Sequence, residues 1–350
     1  MTLTTPTPRA DTPAGTAPRE PLLRVRELRT TFPIRSSVLR RKVGEIGAVD
    51  GVSFDIMPGQ TYGLVGESGS GKSTVARTII GLESPASGTI HFEGRDLSTV
   101  RGAALKSVRR DIQMIFQDPH ASLNPRRTVV EIVTEGWQVQ PGFGPRRRWR
   151  DDALELLERV GLNPDHADRY PHQFSGGQRQ RVGIARALAM RPKLIICDEA
   201  VSALDVSIQA QVLNLLQDLQ AEMGLSYLFI AHDLAVVRHI SDQVGVMYLG
   251  KIVESGSYQQ IFADPVHPYT QALLSAIPVT HPWREGGRDR IVLGGDIPSP
   301  ADPPSGCRFR TRCWKARELC AESEPALILR GHDHPDACHL TEAASHDDIP

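Results

Sequence analysis

Nowhere in the 350 residues do apolar side chains run unbroken for the ~18 positions that a membrane-spanning helix needs. The N-terminus also lacks the apolar core of a secretory signal. The chain is therefore expected to be soluble and cytosolic, with any membrane role supplied by a partner. Charge of one sign is missing too. Forty Lys and Arg against 41 Asp and Glu leave a formal net charge of −1, which argues against a dedicated nucleic-acid binder. Cysteine is scarce, at five, yet four of the five fall between Cys307 and Cys338. In a reducing compartment such clustering points to metal before disulfides.

What is present bounds the architecture. The length allows two domains, or one large domain with appendages, and 40% apolar residues are ample for a core. Residues 1–21 are rich in Thr, Pro and Ala without apolar period and read as a disordered tail; residues 341–350 read as a tail. Short strands are expected from Leu22 to Met57, interrupted by a basic hairpin loop at Val38–Lys42. A second hairpin is expected at 88–100 and a core strand at Ile112–Phe116. From about 118 to 185 helices separated by Pro/Gly loops read as an insertion. Beyond it, Leu194–Cys197 and Tyr227–Ile230 are continuous apolar runs, as parallel strands buried on both faces require. A helix over 207–223 lies between them, and a last strand pair follows at Gln243–Ile252. After about 265 the composition turns to Pro, Gly, Cys and His, which reads as a separate C-terminal module. The expected class is α/β, with one domain over 22–265 and a Cys-rich extension over 266–340.

The chemistry is concentrated in one stretch. Gly66, Glu67, Ser68, Gly69, Ser70, Gly71, Lys72, Ser73 and Thr74 fit G-x-x-x-x-G-K-[ST]. The buried strand before them and the helix after them supply the context that this phosphate-binding loop needs. Glycines allow a tight fold whose N–H groups, with the helix N-terminus, point at phosphate oxygens. Lys72 is expected to reach the β- and γ-phosphates of ATP, and Ser73 to ligate Mg²⁺. Downstream, the apolar strand ending in Asp198 and Glu199 places two carboxylates beside the phosphates. Asp198 would hold the Mg²⁺ shell and Glu199 would polarise the attacking water.

Between these motifs lies Phe174-Ser175-Gly176-Gly177-Gln178, which resembles the signature motif of ATP-binding cassette (ABC) proteins, with Phe174 where Leu is usual. Three single residues then match by order. Gln117 resembles the Q-loop glutamine that senses Mg²⁺ and the lytic water. Ser202–Asp205 resembles the D-loop, and His232 the switch histidine that holds the γ-phosphate. Phe32 is a candidate to stack on adenine, although an N-terminal aromatic is as commonly core. The implied fold is a P-loop ABC ATPase with an antiparallel β subdomain and a helical insertion.

The resemblance extends to a subfamily. Gln117–Pro125, Val201–Ser207, the Asp264–Pro278 segment and residues 294–339 resemble the ATPase subunits of dipeptide/oligopeptide ABC importers, nearest the OppF/DppF type. Ala200 departs from the usual Pro, a change expected to alter loop rigidity and not chemistry. The resemblance implies an ATPase on the cytoplasmic face of the membrane, working with two permeases, a second unlike ATPase and an extracytoplasmic substrate-binding protein, and no nucleic acid. It also implies that Ser175–Gln178 close the partner ATPase's site, while Lys72, Ser73, Gln117, Asp198, Glu199 and His232 serve this chain's own. Closure would follow ATP binding as a population shift.

Cys307, Cys313, Cys320 and Cys338 follow C-x₅-C-x₆-C-x₁₇-C, neither a zinc-finger pairing nor a common ferredoxin run. Four thiolates suit a [4Fe–4S] cluster or Zn²⁺, and free thiols without metal are the remaining alternative. The family resemblance implies a [4Fe–4S] cluster, in a structural role for a segment too small to hold itself. Cys197, inside a strand, reads as packing. The basic runs Arg146–Arg150 and Val38–Lys42 read as solvated loops, or as groups near anionic headgroups. Competing functions are nickel or glutathione import, a non-transport ABC ATPase and a redox-sensing ATPase. The short interval from Lys72 to Gly176 and the single cassette disfavour the repair, chromosome and translation types.

Overall fold

The computed structural model describes residues 20–35, 42–140, 142–277, 290–330 and 332–343. In chain order its elements are β1 (Leu23–Arg35), β2 (Lys42–Ile56), β3 (Thr61–Val65), α1 (Lys72–Ile79), β4 (Ser87–Phe92), β5 (Arg95–Asp96), α2 (Gly102–Asp111), β6 (Ile112–Ile115), α3 (Pro119–Ser122), α4 (Val129–Val139), α5 (Trp149–Arg159) and α6 (Gly176–Leu188). They continue with β7 (Leu194–Asp198), α7 (Val206–Met223), β8 (Ser226–Ala231), α8 (Leu234–Ile240), β9 (Gln243–Tyr248), β10 (Lys251–Ser257), α9 (Tyr258–Ala263), α10 (Pro268–Ser275), α11 (Leu319–Glu322), β11 (Ile328–Leu329) and β12 (Pro335–Asp336).

Two sheets organise the described residues. The larger runs β11-β12-β10-β9-β3-β8-β7-β6, and the smaller, antiparallel sheet runs β2-β1-β4-β5. Strands β6, β7, β8, β3 and β9 are mutually parallel neighbours. Every residue of β3, β7 and β8 is buried, because both faces of the sheet are covered. The strand period of two sorts the side chains between two cores. Ile195, Cys197, Tyr227 and Phe229 face the core shared with α4–α8. Leu194, Ile196, Leu228 and Ile230 face α1 and the antiparallel sheet. Cys197 is thus a packing group, and burial pushes its thiol well above the usual range.

The insertion is helical as expected, over α3 to α6. Helix α4 starts at a reciprocal Thr128–Glu131 capping box. Trp137 anchors it to α6 by donating from Nε1 to the Ala189 carbonyl at 2.7 Å. The basic Arg146–Arg148 turn is exposed, with Arg146 over the Trp149 ring at 5.4 Å. The hairpin loop expected at Val38–Lys42 lies, but for its last residue, outside the described residues; β1 and β2 flank it in antiparallel pairing. No described helix is long and apolar enough to cross a membrane.

The segment beyond 265 differs from the separate module expected of it. Its short strand β12 pairs with β10 through Glu254 and Asp336, extending the main sheet. Ala337 N–H donates to the Val253 carbonyl at 2.8 Å. The wholly buried Glu254 accepts from the Val266 and His267 amides at 2.8 and 2.9 Å and from His334 Nε2 at 2.7 Å. A buried carboxylate left unpaired would be costly, so these three donors fasten the segment to the core.

Candidate functional site

Parallel topology brings the polar motifs together. In an open α/β sheet, ligands bind beyond the C-terminal ends of the strands. Four adjacent strands, β3, β8, β7 and β6, end respectively at the Gly66–Ser73 loop, at His232, at Asp198-Glu199 and two residues before Gln117.

The loop after β3 accepts only glycine at its ends. Gly66 has φ 154° and Gly71 φ 104°; a Cβ on Gly66 would lie 2.1 Å from the Met247 carbonyl oxygen, and one on Gly71 the same distance from that of Ala48. Ser68 and Gly69 form the exposed tip, and Thr74 lies in the first turn of α1. Lys72 is 4% exposed and folds over the loop. Its Nζ donates to the carbonyls of Gly66 and Glu67 at 2.7 and 2.9 Å and to Ser70 Oγ at 3.3 Å. Burial pulls this ammonium below its ordinary pKa, against the opposing pull of the Glu199, Asp198 and Glu67 carboxylates.

Across from the loop, Ser73 Oγ donates to Asp198 Oδ1 at 2.8 Å. Asp198 is 4% exposed, and burial, with the Glu199 charge beside it, raises its carboxyl above the usual range. Gln117 Nε2 donates to Glu199 Oε2 at 2.7 Å, and His232 Nδ1 lies 3.9 Å from the same oxygen. Glu199 leaves its strand with φ 48°, and its N–H donates to the Ile230 carbonyl on β8 at 3.0 Å. A left-handed glutamate is strained; here it turns the carboxylate towards both Gln117 and His232. Ala200 after it is buried, 3% exposed.

Other expected residues lie elsewhere. Ser175 caps α6 in a reciprocal box with Gln178, at 3.0 and 3.3 Å. Among the described residues no hydrogen bond joins Ser175, Gly176, Gly177 or Gln178 to the loop after β3. Gly177 faces α7, where a Cβ would meet Ile208 at 2.5 Å. Asp205 is the exposed N-cap residue of α7 and makes no side-chain cap bond. Phe32 sits on β1 opposite Ile46, half-buried.

Glu67 departs most from expectation. Its N–H does not point into open space but donates to Tyr269 Oη at 2.8 Å. Its carboxylate is gripped by Arg312, Nη1 to Oε2 at 2.6 Å and Nη2 to Oε1 at 3.0 Å. Tyr269 and Arg312 were not singled out from the sequence for this site, and no spacing pattern marks them.

The cysteine expectation also changes. All five cysteines are free thiols. Among the described residues, no group of three or more His, Cys, Asp or Glu is arranged to hold a metal ion. Neither the Zn²⁺ nor the [4Fe–4S] centre is therefore preassembled. Cys307 and Cys313 pack against the main core, and Cys320 and Cys338 are buried. Burial first, and neighbouring thiols in smaller part, push Cys307 and Cys338 up to about 11. Cys307 is within electrostatic reach of Cys313 and Cys320, and Cys338 of Cys307 and Cys313.

Comparison with known proteins agrees with the motif order. Residues 49–202 match the family "ABC transporter", and residues 253–320 match "Oligopeptide/dipeptide transporter, C-terminal region". The chain is 55% identical over 325 residues to the oligopeptide transport ATP-binding protein AppF of Bacillus subtilis, covering 93% of this chain and 98% of the relative. It is 53% identical over 311 residues to oligopeptide transport ATP-binding protein OppF of Salmonella typhimurium, covering 88% and 93%. Among solved structures it is similar to cbiO1 of Clostridium perfringens, part of the ABC transporter complex cbiONQ (TM-score 0.60, 29% identity, 70% of this chain and 92% of that one). It is equally similar to a dimeric ATP-binding cassette bound to ADP and Pi (TM-score 0.60, 29% identity, covering 67% and 98%).

Proposed function

The chain belongs to the ATP-binding subunits of oligopeptide ABC importers, and from that premise we propose how its residues power uptake. It is an ATPase that energises import of oligopeptides or dipeptides. The observation that carries the site assignment is the meeting of Lys72, Ser73, Asp198, Glu199, Gln117 and His232 beyond four adjacent strand ends.

The loop amides and the α1 N-terminus take the phosphates. Lys72 exchanges its bonds to the loop for the β- and γ-phosphate oxygens. Glu199 accepts a proton from the attacking water, Gln117 orients that carboxylate, and His232 contacts the γ-phosphate. Ser73 and Asp198 fit Mg²⁺, as a hydroxyl and a buried carboxylate 2.8 Å apart beyond the strand ends; when bound, the ion would neutralise charge developing on the phosphates. Phe32 stacks on adenine. Ser175, Gly176, Gly177 and Gln178 serve the site of a second, unlike ATPase, with Asp205 at the shared interface. That pairing is supported by the place of the signature at the start of α6, where Ser175 and Gln178 bond each other. The pair sits under two permeases at the cytoplasmic face, fed by a substrate-binding protein. Residues 22–265 form the nucleotide-binding domain and 266–340 the family's C-terminal extension. A [4Fe–4S] cluster on Cys307, Cys313, Cys320 and Cys338 is the finer part of this reading. It is supported by the donor set, would fasten the extension, and takes no part in hydrolysis.

The test is a tagged pull-down from detergent-solubilised membranes, read by mass spectrometry. Recovery of two permeases and a second ATPase is expected, with the co-purifying binding protein pointing to the cargo. Recovery of soluble proteins alone would overturn the importer reading.

A further inference from the structure

Glu67, the first residue inside the phosphate-binding loop, is held on three sides. Its carbonyl accepts from Lys72 Nζ at 2.9 Å, its N–H donates to Tyr269 Oη at 2.8 Å, and its carboxylate takes both Nη groups of Arg312. Only the first of these partners belongs to the nucleotide motif. Tyr269 comes from α10, and Arg312 from the loop between Cys307 and Cys313. Both are rigidly placed. Tyr269 is fully buried, with its ring 4.8 Å from Tyr248 and 5.4 Å from Phe309. The Arg312 side chain is 7% exposed, lies 5.9 Å from the Tyr248 ring centre, and has its amide tied to the Phe309 carbonyl at 3.0 Å. A forked, charge-assisted pair fixes orientation as well as distance. On the loop's far side, Gly250 N–H donates to the Ser70 carbonyl at 2.9 Å.

The geometry points to Arg312 as a positioning residue of the nucleotide site, with Tyr269 as its second arm. The C-terminal segment thereby sets the shape of the phosphate-binding loop before nucleotide arrives. A loop held in its binding shape does not spend binding energy on ordering itself. Loosening Glu67 therefore weakens ground-state nucleotide binding. It leaves Glu199, Gln117 and His232, which stand on other strands, able to act once ATP is seated. The consequence is a rise in KM for ATP with kcat nearly kept, the pattern of lost uniform binding.

This inference rests on the ATPase reading, and the experiment separates the two. MgATP affinity is measured on the full-length chain, and turnover in the assembled importer, for wild type, Arg312→Met, Arg312→Lys, Glu67→Gln, Tyr269→Phe and Arg312→Met/Glu67→Gln. Arg312→Met is expected to raise KM about tenfold with kcat within about threefold. Arg312→Lys should recover part of the loss, because the charge returns without the fork. The double variant should be no worse than the worse single, since both remove one contact. Tyr269→Phe keeps the ring and deletes one acceptor, so it reports even where Arg312→Met fails to fold; a KM rise of about threefold is expected. Unchanged KM in both Arg312→Met and Tyr269→Phe would overturn the inference, as would a fall in kcat at constant KM. A wild-type protein that neither binds nor hydrolyses ATP would instead overturn the ATPase reading beneath it.

Discussion

Glu199→Gln separates chemistry from binding. The amide keeps the shape of the side chain, and its remaining oxygen still accepts from Gln117 Nε2, now 2.7 Å away. The left-handed backbone at φ 48° and the bond from its N–H to Ile230 are untouched. What disappears is the negative charge and the proton acceptor. A positioned general base contributes roughly 10²–10⁴-fold, which at 1.36 kcal/mol per tenfold is about 3–5 kcal/mol of barrier. Nucleotide binding should survive or tighten, because a carboxylate that already raises the pKa of Asp198 would also repel a γ-phosphate. The assay pairs steady-state phosphate release with equilibrium MgATP binding. Turnover within threefold of wild type would refute the general-base role. Loss of binding together with turnover would show that Glu199 shapes the pocket and does no chemistry.

Gly71→Ala should abolish MgATP binding, as its Cβ would stand 2.1 Å from the Ala48 carbonyl oxygen at a φ of 104°; a titration showing wild-type affinity would contradict this. Two buried histidines give stability opposite pH slopes. Burial lowers His267 to about 4 from 6.5, so its contribution is complete above 6.5 and lost as pH falls towards 4, about 3 kcal/mol in all. The hydrogen bond to Glu254 raises His334, so its contribution is complete below 6.5 and lost as pH rises through its elevated value. His267→Asn should flatten the acid limb of a urea-midpoint-versus-pH curve and His334→Gln the alkaline limb; both changing the same limb would disprove the assignment. Anaerobically purified protein should carry iron and brown colour that Cys313→Ser removes, and an iron-free wild type would end the cluster proposal.

The nucleotide site was legible because its residues announce themselves locally. Gly66–Ser73 combine a fixed spacing with a buried strand before and a helix after, and Leu194–Asp198 is an unbroken apolar run ending in acid. Parallel pairing then has few ways to arrange such strands. What escaped was carried by single contacts over long separations. Tyr269 and Arg312 reach Glu67 across 202 and 245 positions, and no period or motif encodes such a meeting. The two-residue strands β11 and β12 are too short to show alternation, so the composition change near 265 read as a boundary although the sheet runs through it. The cysteines were legible as a set but not as an arrangement, since chain spacing fixes ligand number and leaves geometry open.

Several side chains of the site are already bonded within the protein. Lys72 is bound to the loop, Ser73 to Asp198 and Gln117 to Glu199. For Lys72, ATP must therefore replace bonds that the loop already makes, an exchange with a modest net gain per bond. A second set of donors, from a signature helix capped like Ser175–Gln178, would add further bonds from its glycine amides. Part of the free energy of closing two subunits over ATP would then come from the donors that each lends to the other, which would couple ATP binding to dimer closure, the change that a permease can sense.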